Sequence, residues 1–183
     1  MSRQTVENAV KRWLDTVVIG LGLCPFAKPV VAAGKLEIIV SEACDADSLF
    51  SDLERALSLL TDDGPDTIVV AIANWLSDFA DYNDFLDVAE ALIEAKALVG
   101  VIQIASFHPD YRFADEPVDA ISHYTNRAPF PLLHLLRESD VEQAIAQHPD
   151  AESISARNIA KLESLTDEDR RRLFNRALSN ESA

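Results

Sequence analysis

Apolar residues fall at Val6, Val10, Trp13, Leu14, Val17 and Val18 in the first twenty positions. That spacing predicts a helix over residues 4–19 with one buried stripe. Gly20 is the expected stop. Residues 20–29, GLGLCPFAKP, hold two glycines and two prolines and read as a loop or a short helical turn. Residues 35–43, KLEIIVSEA, are rich in Ile and Val and predict a strand. Asp45 or Asp47 can cap the next helix, whose core face is Leu49, Phe50, Leu53, Leu57 and Leu60. Residues 67–73, TIVVAIA, are continuously apolar and β-branched, the pattern of a strand covered on both faces. Asp78 or Asp81 opens a third helix with Phe85, Leu86, Ala89, Leu92 and Ile93 inward. Residues 98–107 form the third predicted strand, and 132–137, LLHLLR, a fourth.

Between them lies a polar stretch, 110–131, with no clear period. A loop of this length inside a compact domain is uncommon and is often functional. Beyond residue 138 the chain is polar and helical. Thr166 is a predicted cap, and the apolar positions run to Leu178.

Strands alternating with helices predict an α/β or α+β fold: roughly four strands layered with helices and followed by a helical tail. We read one domain, with an N-terminal helix over about 4–19 and a helical segment over about 140–178. Two topologies remain open, an open parallel sheet with crossover helices and a ferredoxin-like split β-α-β plait.

Charge narrows the partners. Acidic residues number 31 and basic residues 16, a formal net charge of −15. Such a surface repels nucleic acid and anionic membranes. The two cysteines, Cys24 and Cys44, follow no metal spacing and suit a reducing cytoplasm. No signal core or membrane span is evident. We expect a soluble cytoplasmic protein.

Candidate chemistry gathers in three places. The segment HPDYRF follows the third strand, and in open α/β sheets ligands sit beyond the strands' carboxyl ends. Pro109 forces His108 into an extended conformation. His108 is a candidate general base, Asp110 its orienting partner, Tyr111 a neighbouring hydrogen-bonding group and Arg112 an anion grip. The second cluster, ISHYTNRAPFPLLHLLRE, offers His123, Tyr124, Asn126, Arg127, His134 and Arg137 for anion or amide recognition. In LCPFA, Pro25 fits the first helical position and Cys24 the cap before it, where a thiolate is stabilised. Ala27 stands where a second cysteine would complete a dithiol turn, so dithiol chemistry is excluded. His108, Asp110, His123 and His134 are a conceivable metal set with no recognised spacing. No phosphate loop, dinucleotide loop or nucleophile elbow occurs, and the cofactor is unknown from the sequence.

The stretches GLCPFA, FHPDYRF and YTNRAPFPLLHLLRE together resemble the signature segments of a bacterial family, domain of unknown function 1415. The resemblance rests on Cys24, Pro25, Phe26, His108, Pro109, Tyr111, Arg112, Phe113, Asn126, Arg127, Pro129, Pro131, His134 and Arg137. It implies a stand-alone bacterial protein of about this size and carries no reaction with it. The first expectation is therefore an enzyme acting on a small anionic ligand, with His108 and Cys24 catalytic. In it Tyr111, Arg112, Asn126, Arg127, His134 and Arg137 bind the substrate. A non-catalytic binding or adaptor protein is the second, and a metal protein the third.

Overall fold

The computed structural model describes residues 1–61 and 64–174. Four strands form one sheet in the order β1-β2-β4-β3, with β1 Leu36–Ser41, β2 Thr67–Ile72, β3 Ile102–Phe107 and β4 Leu132–Arg137. β1 and β2 are parallel neighbours, whereas β4 is antiparallel to both β2 and β3. Each expected topology thus contributes one unit. β1, helix α3 (Ala46–Thr61) and β2 form an ordinary crossover between adjacent parallel strands. β2, helix α4 (Phe79–Ala95) and β3 form a split unit, because β4 returns antiparallel between its two strands. The β3–β4 connection carries no crossover helix, so the chain comes back at the end where it left.

Side chains alternate across the sheet, and both faces are covered. Ile39, Ile68, Val70, Ile72, Leu133 and Leu135 meet α3 and α4 through Leu53, Leu57, Phe85 and Leu92. Val40, Val69, Ala71 and Leu132 meet α1 (Arg3–Trp13) and its continuation through Val6, Val10, Trp13 and Val17. All six residues of β2 are buried, as its unbroken apolar run requires. The edge strand β3 buries only Ile102.

The predicted caps form. Asp45 accepts from the Ser48 amide at 2.8 Å, Asp78 from Ala80 at 2.8 Å, and Thr166 from Asp169 at 3.1 Å. The first helix runs to residue 19 as expected, but its last six residues, Leu14–Ile19, take the wider π-helical turn. A Cβ on Gly20 would lie 2.4 Å from the Thr16 carbonyl oxygen, so glycine there answers a close approach. Helix α2 (Ala27–Ala32) follows, and the tail comprises α5 (Glu138–Gln147), α6 (Ile154–Glu163) and α7 (Asp167–Phe174). Leu162 of α6 is fully buried against the α1 face, which fastens the tail to the sheet. The expected helical positions 175–178 lie outside the described residues.

Tyr82 of α4 holds the strand ends together. Its hydroxyl donates to the Leu132 carbonyl at 2.7 Å and accepts from the Phe107 amide at 3.1 Å, where β3 and β4 begin to part. Tyr82→Phe leaves both groups without that partner in a buried setting. The expected loss is about 2 kcal/mol, or roughly 4–8 °C in melting temperature. Thermal denaturation of the variant checks it.

Candidate functional site

The carboxyl ends of β1, β2 and β3 and the start of β4 share one end of the sheet. The segments HPDYRF and YTNRAP lie there, as the sequence predicts. The long loop is not structureless, since residues Ile121–Asn126 form a 3-10 turn. Two histidines hold it in place.

His108 has no exposed surface. Its Nδ1 accepts from the Asp110 amide at 3.0 Å, and its Nε2 lies 3.1 Å from the Leu76 carbonyl. A backbone amide can only donate, so Nδ1 carries the lone pair and Nε2 the proton. The ring is therefore neutral, and its lone pair is already engaged. It packs against Phe79 and Tyr82 at centroid distances of 5.3 and 5.1 Å. The carbonyl it holds belongs to a leucine with a φ of 55°, a left-handed conformation that costs an L-residue roughly 1 kcal/mol.

His123 repeats the device. It too is fully buried; its Nδ1 accepts from the Phe113 amide at 3.2 Å and its Nε2 donates to the Pro117 carbonyl at 2.8 Å. Asn126 is likewise occupied. Its amide donates to the Ser106 carbonyl at 3.0 Å, and its Oδ1 accepts from Thr125 at 2.9 Å. The Tyr111 hydroxyl lies 3.3 Å from Ser106 Oγ, with its ring against Phe79 and Phe113. Arg112 is exposed and makes no ion pair among the described residues.

Three expected members stand apart. β4 runs antiparallel, so Arg137 is carried to the opposite end of the sheet, beside the start of β3. There it donates to the Leu60 carbonyl at 2.6 Å, with Asp140 at 3.6 Å and Asp66 at 3.9 Å. His134 lies in the middle of β4 on the α1 face, with Nε2 2.6 Å from Thr67 Oγ1. Burial pushes its pKa down to about 4. Cys24 lies at the turn before α2. The helix begins at Ala27 with Phe26 in the cap position, two residues later than the sequence predicts, so Cys24 is not its cap. The Cys24 sulfur accepts from the amides of Phe26 and Ala27, but burial outweighs them and pushes the thiol pKa up. The α6 residue Asn158 donates to the neighbouring Leu23 carbonyl at 2.7 Å. A groove of about 740 Å³ beside β1 and a crevice of about 30 Å³ beside Ala128 are lined by neither His108 nor Cys24. Neither of these two openings brings the three clusters together. No three His, Cys, Asp or Glu side chains among the described residues are placed to hold a metal, so His108, Asp110, His123 and His134 do not assemble as ligands.

Arg127 differs from all of these. Its backbone is fixed by α1, because Trp13 Nε1 donates to its carbonyl at 3.0 Å. Its guanidinium carbon lies 4.0 Å above the ring of Tyr124, one 3-10 turn earlier. Phe174 of α7 meets the same ring edge-on at 5.0 Å. The guanidinium Nε is buried and has no hydrogen-bond partner. Among the described residues no carboxylate pairs with it. Tyr124, expected to take part in anion or amide recognition, and Trp13, expected only in the buried stripe of the first helix, both support Arg127. The spacing of three between Tyr124 and Arg127 was the available signal.

No curated protein and no solved structure matches the chain. Among the described residues, no helix is long and apolar enough to cross a membrane. The motif segments that built this end of the sheet lie within residues 5–172, which match the family model described as Protein of unknown function (DUF1415), and the chain belongs to that family.

Proposed function

We propose that the protein binds a small anionic ligand, a carboxylate or a phosphate, through Arg127. The supporting observation is the buried, unbonded Nε of a guanidinium that no acidic side chain among the described residues neutralises. A partly buried cation normally carries its counter-charge with it. Here the guanidinium lies over the aromatic face of Tyr124, and its Nε has no hydrogen-bond partner among the described residues. Arginine offers two parallel N–H groups to a carboxylate or phosphate, so a flat, fixed guanidinium is prepared for such a ligand.

A binding reading is preferred over the enzyme reading because of His108 and Cys24. A general base needs a lone pair directed at substrate, and the lone pair of His108 receives the Asp110 amide. A nucleophilic cysteine needs a lowered pKa, and that of Cys24 is raised.

The test uses Arg127→Met, which keeps the stem and removes the charge. Losing the ring contact costs about 0.5–1 kcal/mol. Relieving a buried, unbonded donor returns about 1–3 kcal/mol. The free variant is therefore expected to melt a few degrees higher than the natural protein. Inorganic phosphate or succinate, titrated at constant ionic strength, is expected to raise the melting temperature of the natural protein saturably and to leave the variant unmoved. A variant that melts lower, with neither anion shifting the natural protein, makes Arg127 a packing residue and ends the proposal.

A further inference from the structure

The open edge of β1 faces the groove of about 740 Å³. β1 pairs only with β2, so its other side has no partner strand. The Lys35 carbonyl accepts from Asp66 and the Ser41 carbonyl from Ala73, both across the β1–β2 ladder. Strand alternation then turns the N–H and C=O groups of Leu36, Ile38 and Val40 to the free edge. Val40 is closed over, being only 4% exposed. Leu36 and Ile38 remain half-buried and line the groove, with Glu37 between them. The opposite wall is the helix face of Lys11, Leu14 and Asp15.

Charge selects the occupant. Lys11 is paired with Glu7 at 2.6 Å and Lys35 with Asp66 at 3.1 Å. Asp15, on the helix wall, and Glu37, which points to the other face of β1 beside Ile39, make no ion pair among the described residues. The groove therefore presents two unneutralised carboxylates beside an unpaired strand edge with an apolar floor. A second copy of a chain with net charge −15 would bring more negative charge to it.

We infer that this groove binds an extended basic segment of a partner protein, which adds to β1 as a fifth strand through the main-chain groups of Leu36 and Ile38. Strand addition draws affinity from main-chain hydrogen bonds and specificity from the side chains that alternate along the peptide. Asp15 and Glu37 read basic side chains from the two faces of the added strand, and Leu36 and Ile38 receive apolar ones on the face that meets α1. The inference is independent of Arg127, which lines neither wall.

The probe is a short extended peptide of lysine and valine with lysines on both of its faces, added to the full chain. Titration calorimetry gives its affinity, and amide hydrogen exchange gives its position. Expected are saturable binding that weakens with salt, and slowed exchange at the Leu36 and Ile38 amides. Asp15→Asn together with Glu37→Gln is expected to weaken binding about tenfold. N-methylating the peptide on its pairing edge, which leaves the protein untouched, is expected to weaken it by at least as much. Equal affinity for a glutamate–valine peptide, full affinity of the N-methylated peptide, or no binding would overturn the inference. So would slowed exchange at Leu36 and Ile38 in the free protein that grows with its concentration, since a second copy would then be the occupant.

Discussion

Replacing His108 by alanine is expected to cost about 3–4 kcal/mol of stability, near 10 °C in melting temperature for a chain of this size. Two losses combine. The ring is fully buried between Phe79 and Tyr82, so its removal opens a cavity. The Asp110 amide and the Leu76 carbonyl also lose the group that joins them across two loops. Leu76 then keeps its left-handed backbone with one restraint fewer. Conservative variants separate the two bonds. His108→Asn places an acceptor near Nδ1 and is expected to recover part of the Asp110 bond. His108→Gln places a donor near Nε2 and is expected to recover part of the Leu76 bond. Urea denaturation should therefore rank natural protein first, Asn and Gln between, and Ala last. An alanine variant as stable as the natural protein would remove the structural role and return His108 to the list of catalytic candidates.

That result bears on how far the sequence could be read. The elements were legible because their periods are clean. β4 carries six residues free of turn signals, and its bounds are those predicted. The caps Asp45, Asp78 and Thr166 were legible because each precedes an apolar period. Strand order was not, because hydrophobic period says which faces are buried and nothing about neighbours. Placing β4 between β2 and β3 explains the largest displacement from expectation, that of Arg137. A strand read as parallel would have delivered it to the loop end; the antiparallel strand takes it to Asp66 and Asp140.

The histidines show a different limit. His108 before proline and His123 in a polar loop look chemical because imidazole is chemical. Whether both ring nitrogens are consumed by backbone depends on loops distant in sequence, such as the one that delivers the Leu76 carbonyl. Arg127 could be named from its motif, but its distinguishing property is a buried Nε without a hydrogen-bond partner among the described residues, which only the fold reveals. Tyr82 had a visible signal that was passed over: it follows Phe79 and precedes Phe85, each by three residues, on the core face of α4.

The stability of the protein is expected to fall as pH drops from about 6.5 towards 4, by up to roughly 3 kcal/mol more than in a variant without His134. Neutral His134 donates from Nε2 to Thr67 Oγ1, because the Thr67 hydroxyl spends its own hydrogen on the Leu135 carbonyl at 2.8 Å. Burial among the residues between β4 and α1 disfavours the charged ring and pushes its pKa down to about 4. The unfolded chain binds a proton near the ordinary value of about 6.5. Between those two values the unfolded state holds more protons than the native state, so stability rises with pH across the window and is fully present above it. The acidic side chains titrate at the lower end as well, which makes the comparison with His134→Gln the informative one. Glutamine keeps a donor for Thr67 and has nothing to titrate. Urea denaturation of both proteins at steps between about pH 4.5 and 7.5 should give curves that run together above 6.5 and separate below it, with the natural protein losing more. Parallel curves would mean that the buried ring admits its proton without cost. Thr67 opens β2 and Arg127 follows the opposite ends of the strands, so the two sites do not share a region of the sheet. A pH dependence that came from His134 should therefore appear in the unfolding curves and leave the anion response of Arg127 unchanged over the same window.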